Sequence, residues 1–298
     1  MRFLVTGAAG MLGSEVVGAL ESLGHEVWAT DVADNEDPLD ITREDRVDAA
    51  IRSFRPHWVV NCAAYTNVDG AEDDEEAAFL LNARGPETIA RSCRRHGARL
   101  LHMSTDYVFD GTKDTPYRED DLPNPLNVYG ASKLAGEEAV RHVHGGSLIV
   151  RTQWLIGANG PNFVSKIIDA ARGRDRLEVV NDQYGSPTFA ADLARALCLL
   201  MEKGAQGIYH VCNRGVTTWY ELASRALAYA AIATPVVPVP TSAIARKARR
   251  PAYSALSTVK FSQETGRLMP LWQCSLEAFL HEYLGRPCRN APTGGSQG

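Results

Sequence analysis

Residues 2–23 constrain the fold more tightly than any other stretch. Phe3, Leu4 and Val5 form a short apolar run that reads as a buried strand. Gly7, Gly10 and Gly13 then punctuate the passage into a segment carrying Leu12, Val16, Val17, Leu20 and Leu23 at helical spacing. A strand, a glycine turn and a helix in that order bring bare backbone N–H groups to a diphosphate. Gly7 permits the tight turn, Gly10 lets phosphates approach, and Gly13 lets helix and strand pack closely. The helix N-terminus, with Met11 and Leu12 in its first turn, supplies unpaired donors and a partial positive charge. The spacing is G-x-x-G-x-x-G, not the G-x-G-x-x-G of the commonest dinucleotide fingerprint, so a tight turn without a ligand is the competing reading.

Strands and helices alternate from there. Residues 27–30 read as a second strand ending at Asp31. A carboxylate at that tip is placed to accept hydrogen bonds from the ribose hydroxyls of NAD and to repel a 2′-phosphate. The alternative is a helix cap or a loop acid. Asp40 and Ile41 would mark the adenine side. A third strand, residues 58–61, leads into Cys62, Ala63, Ala64, Tyr65 and Thr66, small residues in part, which let a cofactor pass the backbone or simply pack well. Residues 72–96 are helical in tendency, with a bend or break expected at Gly85-Pro86. Their acidic start, Glu72 to Glu76, suits a helix N-terminus and reads as a solvated face.

Composition excludes several classes. With 298 residues and 45% hydrophobic content, the chain can bury one large α/β core, or one core and a smaller lobe. No apolar run reaches the roughly 18 residues a membrane helix needs. A net charge of -5 argues against nucleic acid as the main partner, so an anionic ligand must be held by local donors. Cys62, Cys93, Cys198, Cys212, Cys274 and Cys288 are scattered without a C-x-x-C pair. No secretory signal pattern is visible, so they read as reduced thiols in a soluble, cytoplasmic protein. No His/Cys cluster has zinc-ligand spacing.

Residues 99–103 make a fourth strand, with Ser104, Thr105, Asp106 and Tyr107 at its carboxyl end, where ligands collect in open α/β sheets. A long Pro-, Gly-, Asp- and Asn-rich loop follows to about Leu126, a length that marks a mobile or a functional segment. If Asn127 caps the next helix, Tyr129 and Lys133 lie four apart on one face. An ammonium near a phenol lowers the phenol below its usual value of about 10. Such a phenol can protonate an alkoxide, as the reduction of a ketone requires, while a hydroxyl from Ser104 or Thr105 polarises the carbonyl. Alone, Y-x-x-x-K is as compatible with a solvated helix. Its position behind a glycine-rich first turn favours the chemical reading.

In the second half, residues 147–150, 177–180 and 208–211 read as strands, Pro161 as a helix start and Thr218 as a helix cap. In the NDQYGSPT loop (181–188), Gly185 and Pro187 are turn formers, and the loop shapes either a pocket or only a turn. Arg246, Lys247, Arg249 and Arg250 form a basic cluster before Pro251. It reads either as a diphosphate contact, with Arg250 preferred, or as a solvated charge run.

Taken together, TGAAGMLG (6–13), VNCAAYTNVD (60–69), STDYVFDG (104–111), NVYGASKLAGE (127–137), RTQWLIG (151–157), NDQYGSPT (181–188), GIYHVCNRGVTTWYELA (207–223) and RRPAYSAL (249–256) resemble the extended short-chain dehydrogenase/reductases. More narrowly, they resemble the dTDP-4-dehydrorhamnose reductases, from residue 1 to about 285. The resemblance implies hydride transfer from NADPH or NADH to the C4 ketone of dTDP-6-deoxy-L-lyxo-4-hexulose, giving dTDP-L-rhamnose. Tyr129 would then be the acid, Lys133 would hold the nicotinamide ribose, and Thr105 would bond to the carbonyl. Asp106, Tyr107 and Trp154 would line the sugar or nucleotide pocket. Gly7, Gly10, Met11, Leu12, Gly13, Asp31, Asp40, Ile41, Ala63, Ala64, Tyr65, Thr66 and Met103 would contact the cofactor.

Two departures qualify the resemblance. Some members dimerise around a magnesium ion held by two glutamates. Glu15 fits the first position, but Ala191 stands at the second, so no metal site is expected, and the chain is a monomer or a homodimer. Gln153 replaces a small residue before the tryptophan and would bond to a sugar hydroxyl or fill a wall. Two other functions stay open: an epimerase or dehydratase of the same superfamily, and a regulatory subunit like the β subunit of methionine adenosyltransferase. Asp106-Tyr107 after Thr105, where a dehydratase often has an Asp-Glu pair, disfavours a dehydratase. The expected fold is α/β: a Rossmann-type doubly wound parallel sheet over residues 1–150 with later segments returning to it. A smaller substrate-binding lobe is expected over 151–285, and a disordered tail over 286–298.

Overall fold

The computed structural model describes residues 1–33 and 38–285; the tail from residue 286, with Cys288, lies outside the described residues. In chain order the strands are β1 (Arg2–Thr6), β2 (Glu26–Thr30), β3 (Trp58–Asn61), β4 (Arg99–Thr105), β5 (Leu148–Thr152), β6 (Leu155–Ile156), β7 (Leu177–Val180), β8 (Tyr184–Gly185), β9 (Thr188–Phe189), β10 (Gly207–His210), β11 (Thr217–Thr218) and β12 (Val236–Val239). The helices are α1 (Met11–Ser22), α2 (Glu44–Phe54), α3 (Val68–Ala71), α4 (Glu75–Phe79), α5 (Gly85–His96), α6 (Val128–Val143), α7 (Phe163–Ala171), α8 (Ala190–Lys203), α9 (Trp219–Ala230), α10 (Val259–Thr265) and α11 (Trp272–Tyr283).

Six parallel strands build one sheet in the order β10-β5-β4-β3-β1-β2. Both faces are covered, so its strands are continuous apolar runs and alternate residues serve opposite cores. Phe3, Val5, Val60, Leu101 and Val150 face α1 and α8, meeting Val16, Leu20, Leu193 and Leu197. Leu4, Val59, Leu100 and Ile149 face the other way, against Val47 and Ile51 of α2, Ile89 of α5 and Val140 of α6. This is the doubly wound sheet that the alternation of elements implies. A smaller C-terminal region has its own core, where Val164, Ile168, Leu177, Val179, Leu222, Leu227, Leu276 and Leu280 pack together.

The strand order reverses between β1 and β3, and that crevice is where open α/β sheets take their ligands. Gly7 turns the chain there with φ +69, and a Cβ on it would lie 2.5 Å from the backbone nitrogen of Ala63. A Cβ on Gly13 would lie 2.1 Å from the Gly7 carbonyl oxygen. No side chain fits at either place.

Three local expectations change. The helix of residues 75–96 does not break at Gly85-Pro86; a π turn over Leu80–Arg84 precedes them and α5 continues directly. Proline brings no N–H, and it follows directly on the π turn, where the regular α ladder that it would interrupt has already changed register. The acidic run at 72–76 is more than a solvated face: Glu72 accepts from the Val128 backbone at 2.9 Å, Asp74 caps α4 and Asp73 pairs with Lys247. The long loop after β4 is tied down by Asp110, which accepts from Thr112, Tyr117 and Asn124. Those bonds hold its carboxyl down at about 2. None of the described helices is long and apolar enough to cross a membrane.

Two alanine substitutions separate packing from propensity. Gly13→Ala is expected to lower stability by at least about 2 kcal/mol, because backbone must move to admit the methyl group. Gly18→Ala, mid-helix on the exposed side of α1 with nothing within 4 Å, is expected to raise stability by roughly 0.5–1 kcal/mol. Denaturant midpoints of both variants check this; equal effects would contradict it.

Candidate active site

The carboxyl ends of β1, β3, β4 and β5 bring the chemistry-bearing residues together. Gly10 caps α1 without a side chain on the first-turn N–H groups. Beside it, Asp31 accepts from the Ala9 and Ala33 backbones at 3.2 and 3.1 Å. A carboxylate therefore borders the glycine turn, as the second strand implies. The side chains of three other candidates are committed elsewhere. Leu12 and Ile41 are buried in the two cores, and Asp40 accepts from both the backbone and the hydroxyl of Thr42. Past β3, Ala63, Ala64, Tyr65 and Thr66 follow on non-helical backbone, with Ala63 packed beside Gly7. Tyr65 is clamped by Asn82, which accepts from its N–H at 2.9 Å and donates to its carbonyl at 3.0 Å. Asn82 sits in the π turn, is fully buried, and also donates to Ser132 of α6. Nothing in its sequence neighbourhood marks it for this role.

Asn127 caps α6, accepting from the Gly130 N–H at 2.8 Å and donating to the Arg249 carbonyl at 2.8 Å. A Cβ on Gly130 would lie 2.1 Å from the Tyr107 carbonyl oxygen, so the start of α6 presses onto the loop after β4. That contact brings the Tyr129 and Tyr107 rings to 5.9 Å, edge to face. One turn on, Lys133 is buried and donates to the Met103 carbonyl at 2.6 Å. Of the two candidate hydroxyls, Ser104 is committed to Glu137 at 2.5 Å. Thr105 is the one within reach of Tyr129, and its bond favours the phenolate. Its single proton is shared between that bond and Asp106 at 3.0 Å, and its oxygen accepts from the Tyr107 N–H at 3.2 Å.

The electrostatics correct one expectation. Burial pushes the Tyr129 phenol up to about 12, offset in part by Thr105 and reinforced by the Asp106 charge, so it is not lowered below its ordinary value. Burial likewise lowers Lys133 to about 8, while Glu137, one turn further along α6, pulls it back up. The ammonium is aimed at a backbone carbonyl instead of at the phenol. Asp106 is pushed up to about 7 by burial, against hydrogen bonds from Ser254 and Thr105.

The second half of the chain reaches the same edge of the sheet, where Thr152 pairs with Thr105. Trp154 follows β5 with a left-handed backbone, φ 46. Gln153 is buried; its side-chain oxygen accepts from the Ser186 N–H at 3.1 Å, which anchors the loop of residues 181–188, while its Nε2 has no hydrogen-bond partner among the described residues. Arg250 is not held free for a diphosphate: it forks onto Asp69 at 2.6 and 2.8 Å and reaches the Tyr107 hydroxyl. The Arg250 guanidinium holds the Asp69 carboxyl well below the usual carboxylate range. Lys247 pairs with Asp73 and Arg246 with Asp69 while staying exposed, and Arg249 is exposed, so Arg250 is the member of the cluster that is drawn inward. The cluster stitches residues 247–250 to 69–73. Among the described residues, no group of three or more His, Cys, Asp or Glu is placed to hold a metal ion.

Comparison with known proteins gives the family. A family model described as the RmlD substrate binding domain matches residues 1–284. A dTDP-4-dehydrorhamnose reductase of Streptomyces griseus is 43% identical over 300 residues, spanning 98% of this chain and 97% of the relative. A probable dTDP-4,6-dihydroxy-2-methyloxan-3-one 4-ketoreductase of Streptomyces antibioticus is 45% identical, spanning 94% of this chain and 95% of the relative. The crystal structure of a dTDP-4-dehydrorhamnose reductase from Bacillus anthracis, in complex with NADP, superposes with a TM-score of 0.90 at 38% identity, covering 94% of this chain and 99% of that one.

The buried lysine can be titrated directly. In lysine-labelled protein, NMR is expected to show one ammonium with a midpoint near 8, absent in Lys133→Met. The charge is then lost above about pH 8. A Lys133 midpoint at the ordinary 10.5 would contradict its burial without a carboxylate in direct contact.

Proposed function

The chain belongs to the RmlD substrate-binding-domain family, a family of NAD(P)-dependent dTDP-keto-sugar reductases, and on that premise we propose that it reduces the C4 ketone of dTDP-6-deoxy-L-lyxo-4-hexulose to dTDP-L-rhamnose. The observation that carries the reading is the convergence of Thr105, Tyr129 and Lys133 at the end of β4, beside a turn into which no side chain fits. That turn and the uncapped N-terminus of α1 fit a dinucleotide diphosphate, and Asp31 fits its ribose. NADPH or NADH supplies the hydride when bound there.

The protein's own part is to place the ketone and to deliver a proton. The hydroxyl of Thr105 orients the C4 carbonyl, with Asp106 as its alternative partner. Tyr129 donates its proton to the oxygen as the alkoxide develops. A phenol near 12 is wholly protonated at neutral pH and still a far stronger acid than the alcohol it forms, so the transfer runs downhill. Lys133 would hold the nicotinamide ribose, and its ammonium steadies the phenolate left behind. Arg250 acts through Tyr107, whose hydroxyl it fixes at the pocket wall. Asp106, Tyr107 and Trp154 form that wall.

A second reading has support in the relatives. Chains named for different dTDP-keto sugars match at 43% and 45% identity, so a reductase of another dTDP-4-keto sugar would share the same three residues.

Two substitutions test the roles. Tyr129→Phe is expected to lower kcat by about 100-fold or more with cofactor affinity within about threefold, read by cofactor oxidation and by cofactor titration. A near-normal kcat would remove Tyr129 from the chemistry. Asp31→Ala is expected to weaken NADH more than NADPH, because it removes a ribose acceptor and a charge that opposes the 2′-phosphate. An equal loss for both would remove Asp31 from the cofactor site.

A further inference from the structure

Trp154 is bulky, yet its backbone stands at φ 46, a region that side chains of its size rarely occupy. Thr152 pairs with Thr105 in the sheet register, so Trp154, two residues beyond, emerges at the same carboxyl edge as the reacting groups. Something must hold it there. Its indole lies flat on that of Trp219, with centroids 3.6 Å apart and planes 13° apart. On the Gly185 side, a Cβ at that position would lie 2.6 Å from the Trp154 ring. Gly185 carries no positive φ, so its role is close approach to an indole and not the turn its sequence context implies.

Trp219 is itself fixed from three sides. Its Nε1 donates to Gln183 at 3.1 Å, and Gln183 donates to Thr241 at 3.0 Å. Phe163 tilts against its ring at 4.6 Å. It opens α9, whose capping box of Thr218 and Glu221 sets the start of the helix. Thr218 also donates to Asn181, and β11 pairs with β8, so the loop of residues 181–188 and the start of α9 form one frame. That frame continues to the site: Tyr184 pairs with residues 252–254, and Ser254 bonds to Asp106.

We propose that Trp219 is a positioning residue for the sugar nucleotide: by stacking on Trp154, with Gly185 leaving room for it, Trp219 holds the Trp154 indole at the pocket wall. This rests on the dTDP-keto-sugar reading, because that wall is the surface the sugar nucleotide meets. It assigns a role to residues 181–188, whose sequence reads either as shaping a pocket or as only a turn.

Three variants of the full chain test it: Trp219→Leu removes the stacking ring, Trp219→Phe keeps one, and Gly185→Ala pushes on Trp154 from the Gly185 side. The far-ultraviolet circular dichroism of the ligand-free protein reads the stack itself as an exciton couplet of paired indoles. The couplet is expected in the wild type and lost in Trp219→Leu. KM for the dTDP-4-keto sugar, and the dissociation constant of a dTDP-sugar, are expected to rise about tenfold in Trp219→Leu and Gly185→Ala, with NADPH affinity and kcat within about threefold. Trp219→Phe is expected to restore KM to within about threefold, which a purely structural loss would not permit. Unchanged dTDP-sugar affinity in Trp219→Leu, or no couplet in the wild type, overturns the proposal. A wild type that neither turns over nor binds any dTDP-sugar overturns the functional reading first, and this inference with it.

Discussion

The site depends on burying a lysine. A cation removed from water must find charge or donors' counterparts nearby, and among the described residues Lys133 hydrogen-bonds to the Met103 carbonyl, with Glu137 one turn away. Glu137 is shared. It takes both prongs of buried Arg151 at 2.8 and 2.7 Å and the hydroxyl of Ser104. One carboxylate thus ties α6 to β4 and β5 at the level where Thr105 and Tyr129 stand. A buried ion pair of this kind is weak support for stability, because desolvation offsets most of its attraction. Its value here is geometric: the helix carrying Tyr129 has one permitted rotation and height over the sheet.

The other half of the crevice is set by backbone and not by charge. Gly7 and Gly13 let β1, α1 and the segment after β3 approach more closely than any side chain permits. The topological reversal between β1 and β3 leaves that approach open to ligand. Between the two halves, Asn82 grips the Tyr65 backbone and Ser132 from inside a π turn. Short π segments often lie at functional sites, since the extra residue turns a side chain out of helical register. Here it turns an amide toward the crevice wall.

Much of this was legible in the residues. The glycine spacing, the apolar runs and the Asn127 cap identify the sheet, the crevice and the helix bearing Tyr129 and Lys133, because those signals are local. What local patterns do not carry is how distant segments pair. Arg250 looks like an anion ligand until Asp69, 181 positions away in the chain, is found to hold it. Glu72 looks solvated until the start of α6 lands on it. The raised phenol and lowered ammonium follow from burial depth, which a Y-x-x-x-K spacing does not encode. Gly185 reads as a turn former, whereas its lack of a side chain serves an indole.

In the proposed reaction, hydride reaches the C4 carbon of a dTDP-keto sugar while Tyr129 protonates the oxygen. The most direct measurement uses NADPH or NADH carrying deuterium at both positions of the nicotinamide C4, with the 4-keto-L-sugar nucleotide generated in place. NMR of the product then locates the label. One deuterium at C4 of dTDP-L-rhamnose, with one cofactor oxidised per sugar, is the expected result. Label at C4 of another dTDP-sugar would keep the mechanism and change the substrate. Sugar isomerised or dehydrated with no net oxidation of cofactor, or no reaction despite bound cofactor, would contradict the claim.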